Sequence, residues 1–163
     1  MEILKCTTQH QIEELAQLAK QIWHEYFINI ISHEQIDYMV EKYQSLTALK
    51  KAIQQESYTY FLAYEEGQLI GYCGIHPEET KLFLSKLYLH QSARGKHYAT
   101  ALLNHAIQFA KELNLSAIYL TCNKYNTHSL DIYRAKGFRQ IDAVQTDIGQ
   151  GFIMDDYILQ LGL

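Results

Sequence analysis

Leu87-Tyr88-Leu89-His90-Gln91-Ser92-Ala93-Arg94-Gly95-Lys96-His97-Tyr98-Ala99-Thr100-Ala101-Leu102-Leu103 runs from an apolar strand pattern through a short basic loop straight into an amphipathic helix. At such a junction the first backbone N–H groups of the helix have no internal acceptors and point outward together. With the helix dipole they form an anion site suited to a pyrophosphate. Arg94 and Lys96 add positive charge there, and the small residues Gly95, Ala99 and Thr100 let a ligand approach the backbone. A plain loop with solvated charges before a core helix would share these features. A dinucleotide-binding fold fits worse, because it needs three glycines at the turn and a first strand near the chain start.

The helix opened by this loop is predicted over Gly95–Leu113, with Tyr98, Leu102, His105 and Phe109 at helical spacing and Ala101, Ala106 and Leu113 widening the stripe. Upstream, Tyr58–Tyr64 and Leu69–Ile75 read as strands joined by a Glu66-Gly67 turn, followed after Pro77 by a long strand from Lys81 to Leu89. Further upstream, Glu2–Cys6 reads as a strand. Three helices follow, started by Thr7 or Thr8, by Ser32 with Gln35 three residues on, and by Ser45. Downstream come a strand at Ala117–Cys122, a helix capped by Asn126 and ended by Gly137, and strands near Phe138–Thr146 and Phe152–Leu161. The order β-α-α-α-β-β-β-α-β-α-β-β predicts a mixed α/β sheet, mostly antiparallel, with crossovers confined to its second half.

The chain has 163 residues and one proline, and no linker or repeat interrupts it, so a single domain over residues 1–163 is expected. Its net charge of −4 argues against a nucleic-acid surface, which needs clustered Lys and Arg. Cys6, Cys73 and Cys122 are odd in number and far apart, with no CxxC pair, so neither a disulfide framework nor a metal site is expected. No apolar run approaches the roughly 20 residues of a membrane span, and the N-terminus reads as strand rather than signal peptide. The reading is of a cytoplasmic protein without a membrane partner.

Arg94 to Ala99 resembles motif A of the GNAT acyltransferase superfamily, R/Q-x-x-G-x-G/A, with His97 where the family usually has glycine. Asn126-x-x-Ser129-x-x-Ile132-Tyr133-x-x-x-Gly137-Phe138 resembles its motif B, N-x-x-A-x-x-L-Y-x-x-x-G-F. At position 97 a non-glycine residue must keep negative φ or carry strain. The spacing of the motifs and the element order are similar to the GNAT fold across nearly the whole chain.

The resemblance implies acetyl-coenzyme A as the co-substrate and an amine as acceptor. It implies that Leu87, Tyr88 and Leu89 pair with the pantetheine arm, and that Arg94, Gly95, Lys96, His97, Tyr98, Ala99 and Thr100 hold the pyrophosphate. Asn126, with Ser129 beside it, would contact the coenzyme arm, and Asn126 also reads as a helix cap. Tyr133 matches the family's common general acid; the bland alternative is a helix-face residue packed in the core. Trp23, Tyr26 and Phe27 lie where this fold builds its acceptor pocket, though their spacing also suits a core. Phe152, after the two glycines Gly149 and Gly151, marks a mobile rim of that pocket or a turn into an edge strand.

The base that frees the amine is not chosen by the motifs; His76, Glu34, Glu79 and His128 are candidates, and His90 and His97 are poorer ones. Asp155 and Asp156 are placed to attract a cationic amine, and strand alternation lets at most one of them face a pocket. Overall resemblance to bacterial spermidine/spermine-type members suggests a polyamine acceptor. A protein or peptide N-acetyltransferase and a non-catalytic acyl-CoA sensor are the alternatives. Members of the family are commonly dimers, so a homodimer is the implied assembly.

Overall fold

The computed structural model describes residues 1–163. It contains β1 (Glu2–Lys5), α1 (Gln9–Tyr26), α2 (His33–Met39), α3 (Leu46–Gln55), β2 (Thr59–Glu65), β3 (Gln68–Pro77), β4 (Lys81–Leu89), α4 (Tyr98–Glu112), β5 (Ala117–Asn123), α5 (Thr127–Ala135), β6 (Arg139–Gly149) and β7 (Phe152–Gly162). The element order matches the sequence reading. The seven strands form one sheet in the order β1-β2-β3-β4-β5-β7-β6, in which only β4 and β5 run parallel.

Local chemistry fixes the helix starts. Thr8 and Gln11 form a reciprocal capping box on α1; Ser32, Ser45 and Asn126 accept from the amides of Gln35, Ala48 and Ser129 at the starts of α2, α3 and α5. The side chain of Gln35 does not return to its cap as in α1; its Nε2 donates to Ile153 O at 3.1 Å and so ties α2 to β7. A π-helical turn, Val40–Gln44, joins α2 to α3.

Strand alternation splits the core in two. Phe61 and Ala63 of β2 face α4, packing with Leu102, Leu103 and Ala106, whereas Tyr60 and Leu62 face α1 with Leu15, Ala19 and Ile22. A third cluster joins Trp23, Phe27, Ile36, Met39 and Val40 to Ile148 of β6.

Two features open the sheet at the site. The β3–β4 ladder skips a residue, pairing Gly74 with Lys86 but Ile75 with Leu84, so Ser85 is the extra residue of a bulge. Bulges bend a strand and increase its twist. Beyond it β4 parts from β5: their pairing covers only Lys81–Phe83 against Ala117–Tyr119, although the strands run on to Leu89 and Asn123. The far end of β4 therefore lacks a strand neighbour on one side.

The structure corrects two sequence expectations here. α4 begins at Tyr98 rather than Gly95, because Gly95 (φ 78°) and His97 (φ 63°) are left-handed and cannot belong to a right-handed helix. The segment after Gly151 is not an edge strand. β7 lies between β5 and β6, and β6 is the edge.

Candidate active site

A cavity of about 580 Å³ opens where β4 and β5 diverge. Its wall includes Leu87, Tyr88 and Leu89 of β4, the loop and first turn of α4, Thr121–Asn123 of β5, and Asn126, Ser129 and Tyr133 of α5. Trp23, Tyr26 and Phe27 of α1 and the adjoining 3₁₀ turn close the other side, with Met154 and Asp156 of β7. Seventeen positions singled out in sequence were spread over 130 residues; the fold gathers fifteen of them in this cavity wall.

The two exceptions have physical reasons. Lys96 turns outward to an ion pair with Glu65 at 3.4 Å. Phe152 packs on the ring of Tyr38 at 5.2 Å, outside the cavity. The hairpin end that carries Phe152 is pinned rather than free: Tyr38 Oη and Lys42 Nζ each donate to Ile148 O at 2.6 Å. Gly149 (φ 103°) is required there, since a Cβ would stand 2.5 Å from Tyr38 Oη.

The α4 junction has the donors expected of it. No acceptor in the protein takes the amides of Gly95, Lys96 and His97, and α4 has no side-chain cap. The left-handed turn at His97 is what lets these amides share a concave face with the first turn of the helix. The position adopts the strained alternative of the two open to a non-glycine residue. Arg94 Nη2 donates to Leu89 O at 3.2 Å, and its guanidinium stacks 5.3 Å from the ring of Tyr26. Lys136 was not singled out in sequence, but its Nζ reaches Thr100 Oγ1 at 2.7 Å and brings a second cation to the junction.

Asn126, Ser129 and Tyr26 form one network across the opening. Tyr26 Oη donates to Asn126 Oδ1 at 2.8 Å and lies 2.8 Å from Ser129 Oγ. Asn126 caps α5 and lines the cavity at once. Tyr133 sits in the wall with its ring against Phe138 (5.4 Å), and burial holds its phenol well above the ordinary tyrosine value. It is a donor that keeps its proton.

Of the candidate bases, only His128 and His97 line the cavity; His76, Glu34, Glu79 and His90 do not. Among the wall residues the only carboxylate is Asp156, which is 6% exposed. Burial first, and then the charge of Asp155, pushes its pKa up to about 6. Asp155 faces the other way, paired to Lys124 at 2.8 Å, as strand alternation requires. The three thiols are buried, with pKa values pushed up to about 11 at Cys6 and about 12 at Cys73 and Cys122. They are poor nucleophiles.

A sheet split between parallel neighbours, with a donor-rich helix start at its mouth and a phenol within, defines the architecture of an acyltransferase. The chain matches the acetyltransferase (GNAT) family over residues 15–138, and it belongs to that family. It is 28% identical over 102 residues to the uncharacterized N-acetyltransferase YjgM of Escherichia coli (strain K12), covering 60% of this chain and 61% of that protein's length. The structure is similar to the PaiA N-acetyltransferase of Thermoplasma acidophilum in complex with coenzyme A, with a TM-score of 0.82 and 21% identity over 100% of both chains. It is also similar to the ribosomal-protein-alanine N-acetyltransferase of Brucella melitensis, with a TM-score of 0.69 and 19% identity over 100% of both. At those identities the likeness of the two structures is one of fold. No helix is long and apolar enough to cross a membrane.

Proposed function

We propose that this protein transfers an acetyl group from acetyl-coenzyme A directly to the amine of a small acceptor, acting as one domain in the cytoplasm. The observation that carries the reading is the opening between β4 and β5, which ends at unpartnered amides on one side and holds a half-buried phenol and a buried carboxylate inside.

The residues present fit the coenzyme. The Gly95–Thr100 amides, with Arg94 and Lys136, suit its pyrophosphate. The unpaired edge of β4 at Leu87–Leu89 suits the amide-bearing pantetheine arm, and Asn126 and Ser129 border the same path. Acetyl-coenzyme A supplies an activated thioester whose sulfur leaves as the new amide forms.

Tyr133 donates its phenolic proton to the departing sulfur. Burial disfavours the phenolate and a thiolate alike, so the proton passes between groups raised together. Asp156 is ionised at neutral pH and draws an ammonium into the cavity. The ammonium first yields one proton to solvent, which exposes its lone pair. As the C–N bond then forms, a second nitrogen proton becomes strongly acidic and Asp156 accepts it, while Tyr133 regains from solvent the proton it gave to the sulfur. Direct attack is favoured over an acyl-enzyme because no thiol in the protein is an active nucleophile.

Release of free thiol from acetyl-coenzyme A, measured with a panel of amines, tests the reading. Acceptor-dependent release that Tyr133→Phe suppresses is the expected result. Coenzyme binding without release from any amine would point instead to an acyl-CoA sensor. A polyamine acceptor, suggested by the family resemblance, would set several ammonium groups in a wall with one carboxylate and the cations Lys86, Arg94 and Lys136.

A further inference from the structure

Of the lysines and arginines in the cavity wall, Lys86 is the one that the coenzyme does not explain. It follows the bulged Ser85 on β4 and shares a face with Tyr88, whose ring packs on Trp23 and Phe27 at 5.5 and 5.9 Å. Leu87, between them, packs on the opposite side among the α4 cluster. Lys86 therefore points to the acceptor side, whose wall also includes Tyr43 and Tyr58. Its cross-strand partner is Gly74, so no side chain stands directly opposite it on β3.

The ammonium has no counter-charge. Lys86 Nζ bonds only to Ser85, at 2.9 Å to Oγ and 3.3 Å to O, and no carboxylate pairs with it. Burial pushes its pKa down to about 8, which leaves it mostly protonated at neutral pH. A cation half-withdrawn from water beside aromatic walls is a costly arrangement unless something anionic meets it. The chain has placed its single cavity carboxylate, Asp156, on β7, which β5 separates from β4 in the sheet. Two strand spacings amount to about 10 Å, and the parting of β4 from β5 beyond Phe83 widens that separation.

We propose that the acceptor is a primary amine that also bears a carboxylate, an amino acid or close analogue, and that Lys86 holds this carboxylate while Asp156 receives the amine. The two ends of the acceptor are thereby read by opposite charges on two strands. The aromatic surface of Trp23, Phe27, Tyr43, Tyr58 and Tyr88 takes the apolar part between or beside them. A polyamine meets Lys86 as a like charge, which lowers its affinity.

The inference rests on the acetyl-transfer reading above. Thiol release is measured for phenylalanine against phenethylamine, lysine against cadaverine, and for spermidine. We expect kcat/KM roughly 10- to 100-fold higher for the amino acid of each pair, the scale of one charge-assisted hydrogen bond partly shielded from water. In Lys86→Met this ratio falls toward one, chiefly through KM, while Lys86→Arg keeps most of it. Faster turnover of spermidine or of the decarboxylated amines by the wild-type protein would overturn the proposal, as would an unchanged ratio in a folded Lys86→Met. Should that variant not fold, the wild-type ratios decide alone. Release from no amine, with coenzyme A still binding by calorimetry, would remove the acetyl-transfer reading itself.

Discussion

The two sides of the cavity are built by different means. The side proposed for the coenzyme is made of backbone: consecutive amides from Gly95 into α4 and the free edge of β4 beyond Phe83. The side proposed for the acceptor is made of side chains brought from α1, α2, β4 and β7, which are distant in sequence. A backbone site depends on local conformation and tolerates substitution of residues that keep it. A side-chain site depends on each residue's identity, so specificity is concentrated there.

That contrast is broken or sharpened by substitutions on each side. The largest effect is expected at Tyr133→Phe, where loss of the proton donor should lower kcat by about 10²- to 10⁴-fold. Coenzyme affinity by calorimetry should stay near the wild-type value. Asp156→Asn comes next, with kcat/KM down about 10²-fold. The sign of its pH dependence follows from its role: as a base it must be ionised, so wild-type kcat/KM should fall as pH drops through about 6. The asparagine variant should lose that limb of the profile.

On the coenzyme side, Arg94→Ala and Lys136→Ala should each weaken coenzyme A binding by roughly tenfold, and less so at high salt. Backbone donors remain in both, so neither should abolish binding. Gly149→Ala should cost about 1–3 kcal/mol in denaturant unfolding, since alanine meets both a left-handed φ and Tyr38 Oη. The smallest change is expected at His97→Gly. Relief of about 1 kcal/mol of left-handed strain is offset by a similar gain in unfolded-state entropy, so measured stability should move by no more than about 1 kcal/mol.

The same contrast explains what could be read from sequence. The coenzyme side was legible because its residues are contiguous: Arg94 to Thr100 and Asn126 to Phe138 carry their geometry in their spacing. Even there the register of the helix start was misread, because His97 looks like a helix residue until its positive φ is seen. Lys136 was missed because its partner Thr100 lies 36 residues away. The acceptor side was legible only in part. Trp23, Tyr26 and Phe27 face the site, but helical spacing alone could not separate them from core. Phe152 fails for a related reason, since the Tyr38 and Lys42 contacts that turn its hairpin onto α2 are set by tertiary packing. Alternation did correctly limit the Asp155–Asp156 pair to one cavity residue. Lys86 leaves a trace in the sequence, the one charge in the stretch Leu82–Leu89, but only the Ser85 bulge shows which side it faces.

The central claim is that the amides opening α4 hold the diphosphate and thereby set the thioester beside Tyr133. Titrating coenzyme A into isotope-labelled protein and following backbone amide resonances tests it most directly. The largest shifts should fall on Gly95 to Thr100, followed by Leu87 to Leu89. Shifts centred on another surface, with the α4 junction unmoved, would contradict the account.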